Sequence, residues 1–83
     1  MGQVRLSVEA EYDIDGIAAF TTRNWGFRQA DLYLSRIEER LELLAENPSI
    51  GRECHRIRPE LRRFEIGRHI VFYVPEPSGI LIR

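Results

Sequence analysis

Arginine side chains are concentrated in one stretch of this chain, between residues 52 and 68. A guanidinium is planar, always charged, and donates paired hydrogen bonds to a carboxylate or a phosphate. The stretch contains twice as many cations as anions, with Arg52, Arg56, Arg58, Arg62, Arg63 and Arg68 against Glu53, Glu60 and Glu65. The pattern predicts a surface for an anionic or carboxylate-rich partner, although a solvated edge strand with internal salt bridges gives a similar pattern.

His69 follows Arg68 directly and is a candidate general base for phosphodiester cleavage, because an imidazole accepts a proton near neutral pH. Such a reaction also needs an acid. Tyr73 lies on the same strand face, but it is equally well explained as a core residue. A single strand histidine is more often structural, and no catalytic residue is assigned.

The composition argues against several kinds of chemistry. All twelve cationic residues are arginine, so no lysine is available for a Schiff base. Cys54 and His55 are adjacent and only one further histidine exists, which does not match a zinc site, and no metal or cofactor is expected. The single cysteine favours a reducing cytoplasm, and no apolar run has signal-peptide or membrane-spanning character.

Charge is distributed unevenly along the 83 residues. Residues 1–46 hold five arginines and nine acids, a net charge of −4, whereas residues 47–83 hold seven arginines and four acids, a net charge of +3. A chain of this length forms one small domain. We therefore expect that the folded molecule has a charge asymmetry.

Hydrophobic spacing predicts two helices that form an antiparallel hairpin. Ser7 is the expected N-cap of the first helix, and Gly26 its end. The first helix has one apolar face, made of Ile14, Ile17, Ala18, Thr21 and Trp25. The second begins near Phe27 and ends at Asn47–Pro48. Its stripe is the most regular in the chain: Ala30, Leu34, Ile37, Leu41 and Leu44.

Alternating apolar residues predict a strand over residues 4–8 and three more over 61–66, 69–74 and 80–82. Gly67–Arg68 has the length of a tight hairpin turn, and residues 48–60 form an expected surface loop. Alternation places Arg62 on one face of its strand and Arg63 on the other. The predicted fold is α+β, in the order β-αα-βββ, with the helical hairpin packed on one face of a small antiparallel sheet.

The order and spacing of several short motifs resemble the ParE toxins of the RelE/ParE superfamily. These motifs are Asn24-Trp25-Gly26, Gln29-Ala30-Asp31, Tyr33-Leu34, Asn47-Pro48, Ile50-Gly51-Arg52, Ile57-Arg58-Pro59, Leu61-Arg62, Gly67-Arg68-His69 and Val71-Phe72-Tyr73. The resemblance covers nearly the whole chain, and the family's β-αα-βββ fold agrees with the elements above. Family members usually continue past the last strand with a basic tail, so residues 1–83 are expected to be a single domain without that tail.

The resemblance implies a toxin of a bacterial type II toxin–antitoxin system, held inactive by a cognate antitoxin and acting on DNA gyrase without catalysis. No membrane association and no sequence-specific nucleic-acid binding are expected. The predicted target-binding residues are Arg58, Arg62, Arg63, Arg68 and His69. Apolar positions in excess of one helical stripe suggest a second apolar face, although core packing is the default interpretation for them. The family resemblance implies that an antitoxin segment covers such a face, and the expected antitoxin-binding residues are Trp25, Leu32, Tyr33, Leu43 and Phe72.

Two alternatives remain open from the sequence. The RelE branch of the superfamily cleaves mRNA on the ribosome, and such an enzyme would use His69 with Arg62, Arg68 and Tyr73. The absence of lysine counts against this alternative, because the RelE branch typically depends on lysines as well as arginines. The other alternative is a truncated, non-toxic form that only binds the antitoxin.

Overall fold

The computed structural model describes residues 2–54 and 56–83. Seven elements follow one another in the order β1 Gln3–Leu6, α1 Val8–Trp25, α2 Phe27–Glu46, β2 Arg52–Glu53, β3 Arg62–Ile66, β4 His69–Glu76 and β5 Gly79–Ile82. The predicted α+β fold, with two helices packed on one sheet, is confirmed. The short strand β2 lies within the segment that the sequence predicted to be an irregular loop.

The ends of the helices follow from capping residues. The Ser7 hydroxyl accepts a hydrogen bond from the backbone N–H of Ala10 at 3.1 Å, which satisfies one free donor at the start of α1. Gly26 joins the helices with φ at 87°, a conformation that glycine adopts without steric cost. Its N–H donates to the Thr22 carbonyl at 2.9 Å. A single linking residue makes α1 and α2 neighbours, and they pack against each other.

The sheet has the strand order β1-β5-β4-β3-β2. The pairs β2–β3, β3–β4 and β4–β5 are antiparallel, but β1 runs parallel to β5, so the sheet is mixed rather than antiparallel throughout. The period-two pattern of residues 4–8 identifies a strand but carries no information about its direction. In the fold, β1 supplies Val4 and Leu6 beside Ile80 and Ile82, and this extends the buried apolar surface.

The core lies between the helices and one face of the sheet. The α2 stripe contributes Ile37, Leu41 and Leu44, and Leu34 packs at its margin, as the spacing predicted. On the sheet, alternate residues point toward the helices: Ile66, Tyr73, Ile80 and Ile82 are buried, with Phe64 and Val71 partly buried beside them. The intervening residues point away from the helices, and we call this side the outer sheet face.

Charge is divided between the two layers. The helices contain nine acids and four arginines, a net charge of −5, and the strands with their loops contain eight arginines and four glutamates, a net charge of +4. The expected charge asymmetry is therefore present as an acidic helix layer and a basic sheet layer. At physiological ionic strength such fields extend about 8 Å from the surface.

Candidate functional site

Arg62 connects β3 to the segment that precedes it. Its Nη1 donates hydrogen bonds to the Gly51 carbonyl at 2.6 Å and to the Ser49 carbonyl at 3.3 Å. Its Nη2 donates to Glu53 Oε1 at 3.2 Å. The side chain is partly buried and points to the helix side of the sheet, where it holds residues 49–53 in place. Only part of its donor capacity is left for a partner.

Tyr73 reinforces the same segment from inside the core. Its side chain is fully buried, and its hydroxyl donates to the Pro48 carbonyl at 2.7 Å and accepts from the Gly51 N–H at 2.9 Å. Burial raises the pKa of this phenol, and the Gly51 hydrogen bond and the charge of Arg62 lower it by a smaller amount. The hydroxyl therefore stays protonated and acts as a structural donor.

The tip of the β3–β4 hairpin is attached to α2 through Tyr33. The Tyr33 hydroxyl lies 2.5 Å from His69 Nδ1 and accepts a hydrogen bond from the Arg68 N–H at 3.3 Å. Gly67 has φ at 57°, and a Cβ at this position would lie 2.9 Å from the Tyr33 ring. His69 is thus held between layers by a partner that the sequence did not identify, because the two residues are 36 positions apart.

The five predicted target-binding residues lie in separate places. Arg58 is exposed in the loop, and Arg68 is exposed at the hairpin turn. Arg63 is partly buried on the outer sheet face. Arg62 and His69 are instead on the helix side, where they bind the 49–53 segment and Tyr33. The structure therefore separates two exposed arginines and the outer-face Arg63 from two residues with internal partners.

The five predicted antitoxin-binding residues do not form one surface. Trp25 and Leu32 are exposed on the helix layer with 64% and 60% of their surface accessible, and Leu43 is less exposed on α2. Tyr33 lies between the layers, and Phe72 lies on the outer sheet face. A segment that contacted both Leu32 and Phe72 would have to pass around an edge of the sheet.

Helix α1 also exposes apolar side chains that were not predicted from the sequence. Val8, Tyr12 and Phe20 are 79%, 79% and 62% exposed, and they point away from α2 and the sheet. The available sequence signal was a spacing of four residues, which relates Val8, Tyr12 and Phe20 with Gly16 between the last two. The opposite stripe of the same helix has the more regular apolar pattern and conceals this weaker signal.

The described residues provide no obvious place for a metal ion or for a membrane span. Within residues 2–54 and 56–83, no three histidine, cysteine or acidic side chains are grouped to hold a metal. His55, considered above with Cys54, lies outside the described residues. No described helix is long and apolar enough to cross a membrane.

Comparison with known proteins identifies the class to which this fold and surface belong. The family described as the ParE toxin of type II toxin-antitoxin system, parDE, matches residues 4–83. The chain is 36% identical to Toxin ParE1 of Caulobacter vibrioides over 73 residues, which cover 88% of this chain and 76% of the relative. It is 38% identical over 76 residues to Toxin ParE1 of Mycobacterium tuberculosis, covering 92% and 78%.

A solved structure agrees at the level of the fold. The chromosomal ParDE TA system from P. aeruginosa contains a chain that superimposes with a TM-score of 0.77 at 21% identity, covering 99% of this chain and 90% of that one. Toxin ParE of Escherichia coli is 33% identical over 79 residues, covering 92% of this chain and 77% of the relative. The chain belongs to the ParE toxin family of type II toxin–antitoxin systems.

Proposed function

We propose that this toxin acts in the cytoplasm by binding and poisoning DNA gyrase, and that a cognate antitoxin neutralises it by direct contact. The observation that carries the proposal is the family match across residues 4–83. The ParDE system with the same fold supports the antitoxin part, since an antitoxin is the expected second component of such a pair.

The geometry favours binding over catalysis. The ribonuclease alternative uses His69 with Arg62 and Arg68 around one phosphate, and Tyr73 is its candidate acid. Tyr73 and Arg62 are paired across β3 and β4, whereas His69 lies four residues along β4, about 13 Å away. Tyr73 is fully buried, and its hydroxyl is occupied by Pro48 and Gly51. These side chains therefore do not converge on a shared substrate position.

Among the predicted target-binding residues, Arg63, Arg68 and Arg58 are the ones proposed to contact the target directly. Arg58 and Arg68 are exposed in the loop and at the hairpin turn, and Arg63 lies partly buried on the outer face of the basic layer. Arg62 and His69 are proposed to position the loop and the hairpin tip that present these arginines. Trp25, Leu32 and Leu43 remain proposed antitoxin contacts on the helix layer.

The proposal is tested by inducing the chain without its antitoxin and pulse-labelling DNA and protein synthesis within minutes. DNA synthesis is expected to fall first, and purified gyrase is expected to accumulate cleaved DNA in the presence of the toxin. Arg63→Glu/Arg68→Glu should remove both effects. Arg36→Glu/Arg40→Glu makes the same charge change on exposed positions of α2 and should leave both effects intact.

Two other outcomes of this experiment would contradict the proposal. An earlier fall in protein synthesis, with cleaved mRNA, would support the ribonuclease alternative. If neither synthesis falls although the chain is folded, the gyrase proposal is wrong and the non-toxic, antitoxin-binding alternative is the one to test.

A further inference from the structure

Helix α1 carries an exposed apolar ridge on the side that faces away from α2 and the sheet. Val8, Tyr12 and Phe20 form this ridge, and all three side chains are exposed. They are related by steps of four residues, with Gly16 between the two aromatic rings, so they follow one oblique row on the helix surface. The buried residues of α1 lie on its other side. The ridge therefore contributes little to the core of the isolated chain.

Gly16 lies in the middle of this ridge, where glycine is unfavourable for the helix itself. Glycine destabilises a helix interior relative to alanine, because it loses more backbone freedom on folding. Its backbone here is ordinary α-helix. A Cβ at this position would meet no described atom within 4 Å apart from its chain neighbours and the backbone of its own helix. The missing side chain instead leaves a notch between Tyr12 and Phe20 that another helix can enter.

We propose that α1 docks on α1 of a second copy of this chain, in an antiparallel pair whose two-fold axis passes beside Gly16. Such an axis places each residue opposite the one that lies equally far beyond residue 16. Tyr12 of each copy then faces Phe20 of the other, and these two aromatic pairs flank the glycine crossing. Rows spaced by four residues on both helices interdigitate at a crossing angle of about −50°, with the axes about 8 Å apart where side chains are small.

Charge along α1 distinguishes an antiparallel pair from a parallel one. The four acids of the helix all precede Gly16, and its single arginine, Arg23, follows it. In a parallel pair the acidic halves of both copies would lie side by side and repel each other. In the antiparallel pair they lie at opposite ends. The two-fold relation also places Arg23 of each copy beside Glu9 of the other, because both residues are seven positions from Gly16.

A second copy fits this face better than the other classes of partner do. The acids on both flanks of the ridge repel the phosphate backbone of a nucleic acid. An isologous pair uses the same notch and the same rings on both sides and closes after two copies. It also covers apolar surface that a chain of this size leaves exposed. The interface is one helix per copy, so we expect a dissociation constant on the order of 50 μM.

The pairing goes beyond the proposed function and does not depend on the target. Because α1 presents its ridge away from the sheet, the basic sheet layers of the two copies face outward at opposite ends. Arg58, Arg63 and Arg68 therefore stay accessible in both copies.

The test measures self-association of the full chain by sedimentation equilibrium, at concentrations from about 5 to 500 μM, which bracket the expected dissociation constant. Backbone amide chemical shifts recorded over the same range map the contact. A monomer–dimer equilibrium is expected, and the shifts that change with concentration should belong to the exposed side of α1 and not to β3, β4 or β5.

Substitutions at Gly16 separate a close helix crossing from general apolar attraction. Gly16→Ala should raise the denaturation midpoint at low protein concentration, because alanine is the better helix former, yet weaken the dimer about threefold. Gly16→Leu adds apolar surface but fills the notch, and it should weaken the dimer about tenfold or more. If Gly16→Leu strengthened association instead, the ridge would be an unspecific apolar patch and the inference would be wrong.

Exchange of charges tests the antiparallel register. Glu9→Arg and Arg23→Glu should each weaken the dimer about fivefold, because each change acts twice in a symmetric pair. The double variant Glu9→Arg/Arg23→Glu should restore association to within about twofold of wild type. Arg40→Glu, at an exposed position of α2, is the matched control and should change association less than about twofold. A double variant weaker than both single variants would exclude this register.

Three further results would overturn the inference. The chain could remain monomeric over the whole concentration range, or it could associate through the sheet with no change at α1. In the third case, a helical peptide rich in leucine and arginine would bind the ridge at concentrations where the chain does not self-associate, and the face would belong to a basic partner. None of these results bears on the pulse-labelling experiment, whose outcome tests the target alone.

Discussion

The helix layer carries nine acids and four arginines, whereas the strands and loops of the sheet layer carry eight arginines and four glutamates. In the helix layer, charged residues are exposed and separate from the apolar stripe that forms the core. In the sheet layer, one arginine, Arg62, reaches into the fold and binds backbone carbonyls. An arginine-rich segment is therefore not equivalent to an arginine-rich surface.

The neighbours Arg62 and Arg63 show this difference within two residues. Arg62 points to the helix side of the sheet and joins β3 to residues 49–53, and Arg63 points to the outer face beside Phe72. Composition alone gives them the same expected role. Alternation along β3 places the two side chains on opposite faces of the sheet. Because the helices cover only one face, only the arginine on that face, Arg62, has internal partners.

The largest expected effect is on the internal network of the sheet layer. Tyr73→Phe keeps the ring but removes the hydroxyl, which leaves the Gly51 N–H and the Pro48 carbonyl without this partner. We expect a loss of about 2 kcal/mol in the free energy of unfolding, because the Gly51 donor is buried. Chemical denaturation measures it. Tyr12→Phe, at a site 79% exposed on α1, is the matched control and should change stability by less than about 0.5 kcal/mol.

Ionisation of the Tyr73 hydroxyl should lower the stability of the fold at alkaline pH. Burial raises the pKa of Tyr73 above its ordinary value of 10.0, so the folded state holds this proton more tightly than the unfolded state does. The resulting stability is complete below pH 10.0 and is lost as the pH rises through the raised pKa. No lysine titrates in this range. The unfolding free energies of wild type and Tyr73→Phe should converge above about pH 10, and a constant difference would contradict the assignment.

The next prediction compares Arg62→Met with Arg63→Met. Methionine retains most of the apolar part of the arginine side chain and removes the guanidinium. Arg62→Met should cost about 1 to 1.5 kcal/mol of unfolding free energy, because the Gly51 and Ser49 carbonyls lose a charged donor. Arg63→Met should cost less than about 0.5 kcal/mol, since it has no ion pair among the described residues. Toxicity should show the opposite order at temperatures where both variants are folded. Equal losses of unfolding free energy would contradict the assignment of internal hydrogen bonds to Arg62 and not to Arg63.

Local sequence signals predicted the helices and most of the strands. The direction of β1 and the contact between Tyr33 and His69 depend on residues far apart in the chain and were not predicted. The four-and-three spacing of α2, the Ser7 cap and Gly26 defined both helices from neighbouring residues. The parallel direction of β1 depends on pairing with a strand more than 70 residues away, for which residues 4–8 contain no signal. Likewise, Tyr33 and His69 are each unremarkable in their own elements, and only the packing of α2 on the hairpin brings them together.

The smallest expected effect concerns the exposed loop that holds Arg58. Glu60 has φ at 67° in a turn closed by the hydrogen bond from the Leu61 N–H to the Arg58 carbonyl at 3.2 Å. A side chain at positive φ costs about 1 to 2 kcal/mol, and glycine avoids this cost but loses more chain entropy on folding, about 0.5 to 1 kcal/mol. Glu60→Gly should therefore raise the free energy of unfolding by about 0.5 kcal/mol. Glu65→Gly, in β3 at an ordinary strand conformation, is the control and should lower it. If Glu60→Gly also lowered stability, the turn would have to be held by contacts of the Glu60 side chain rather than by its backbone alone.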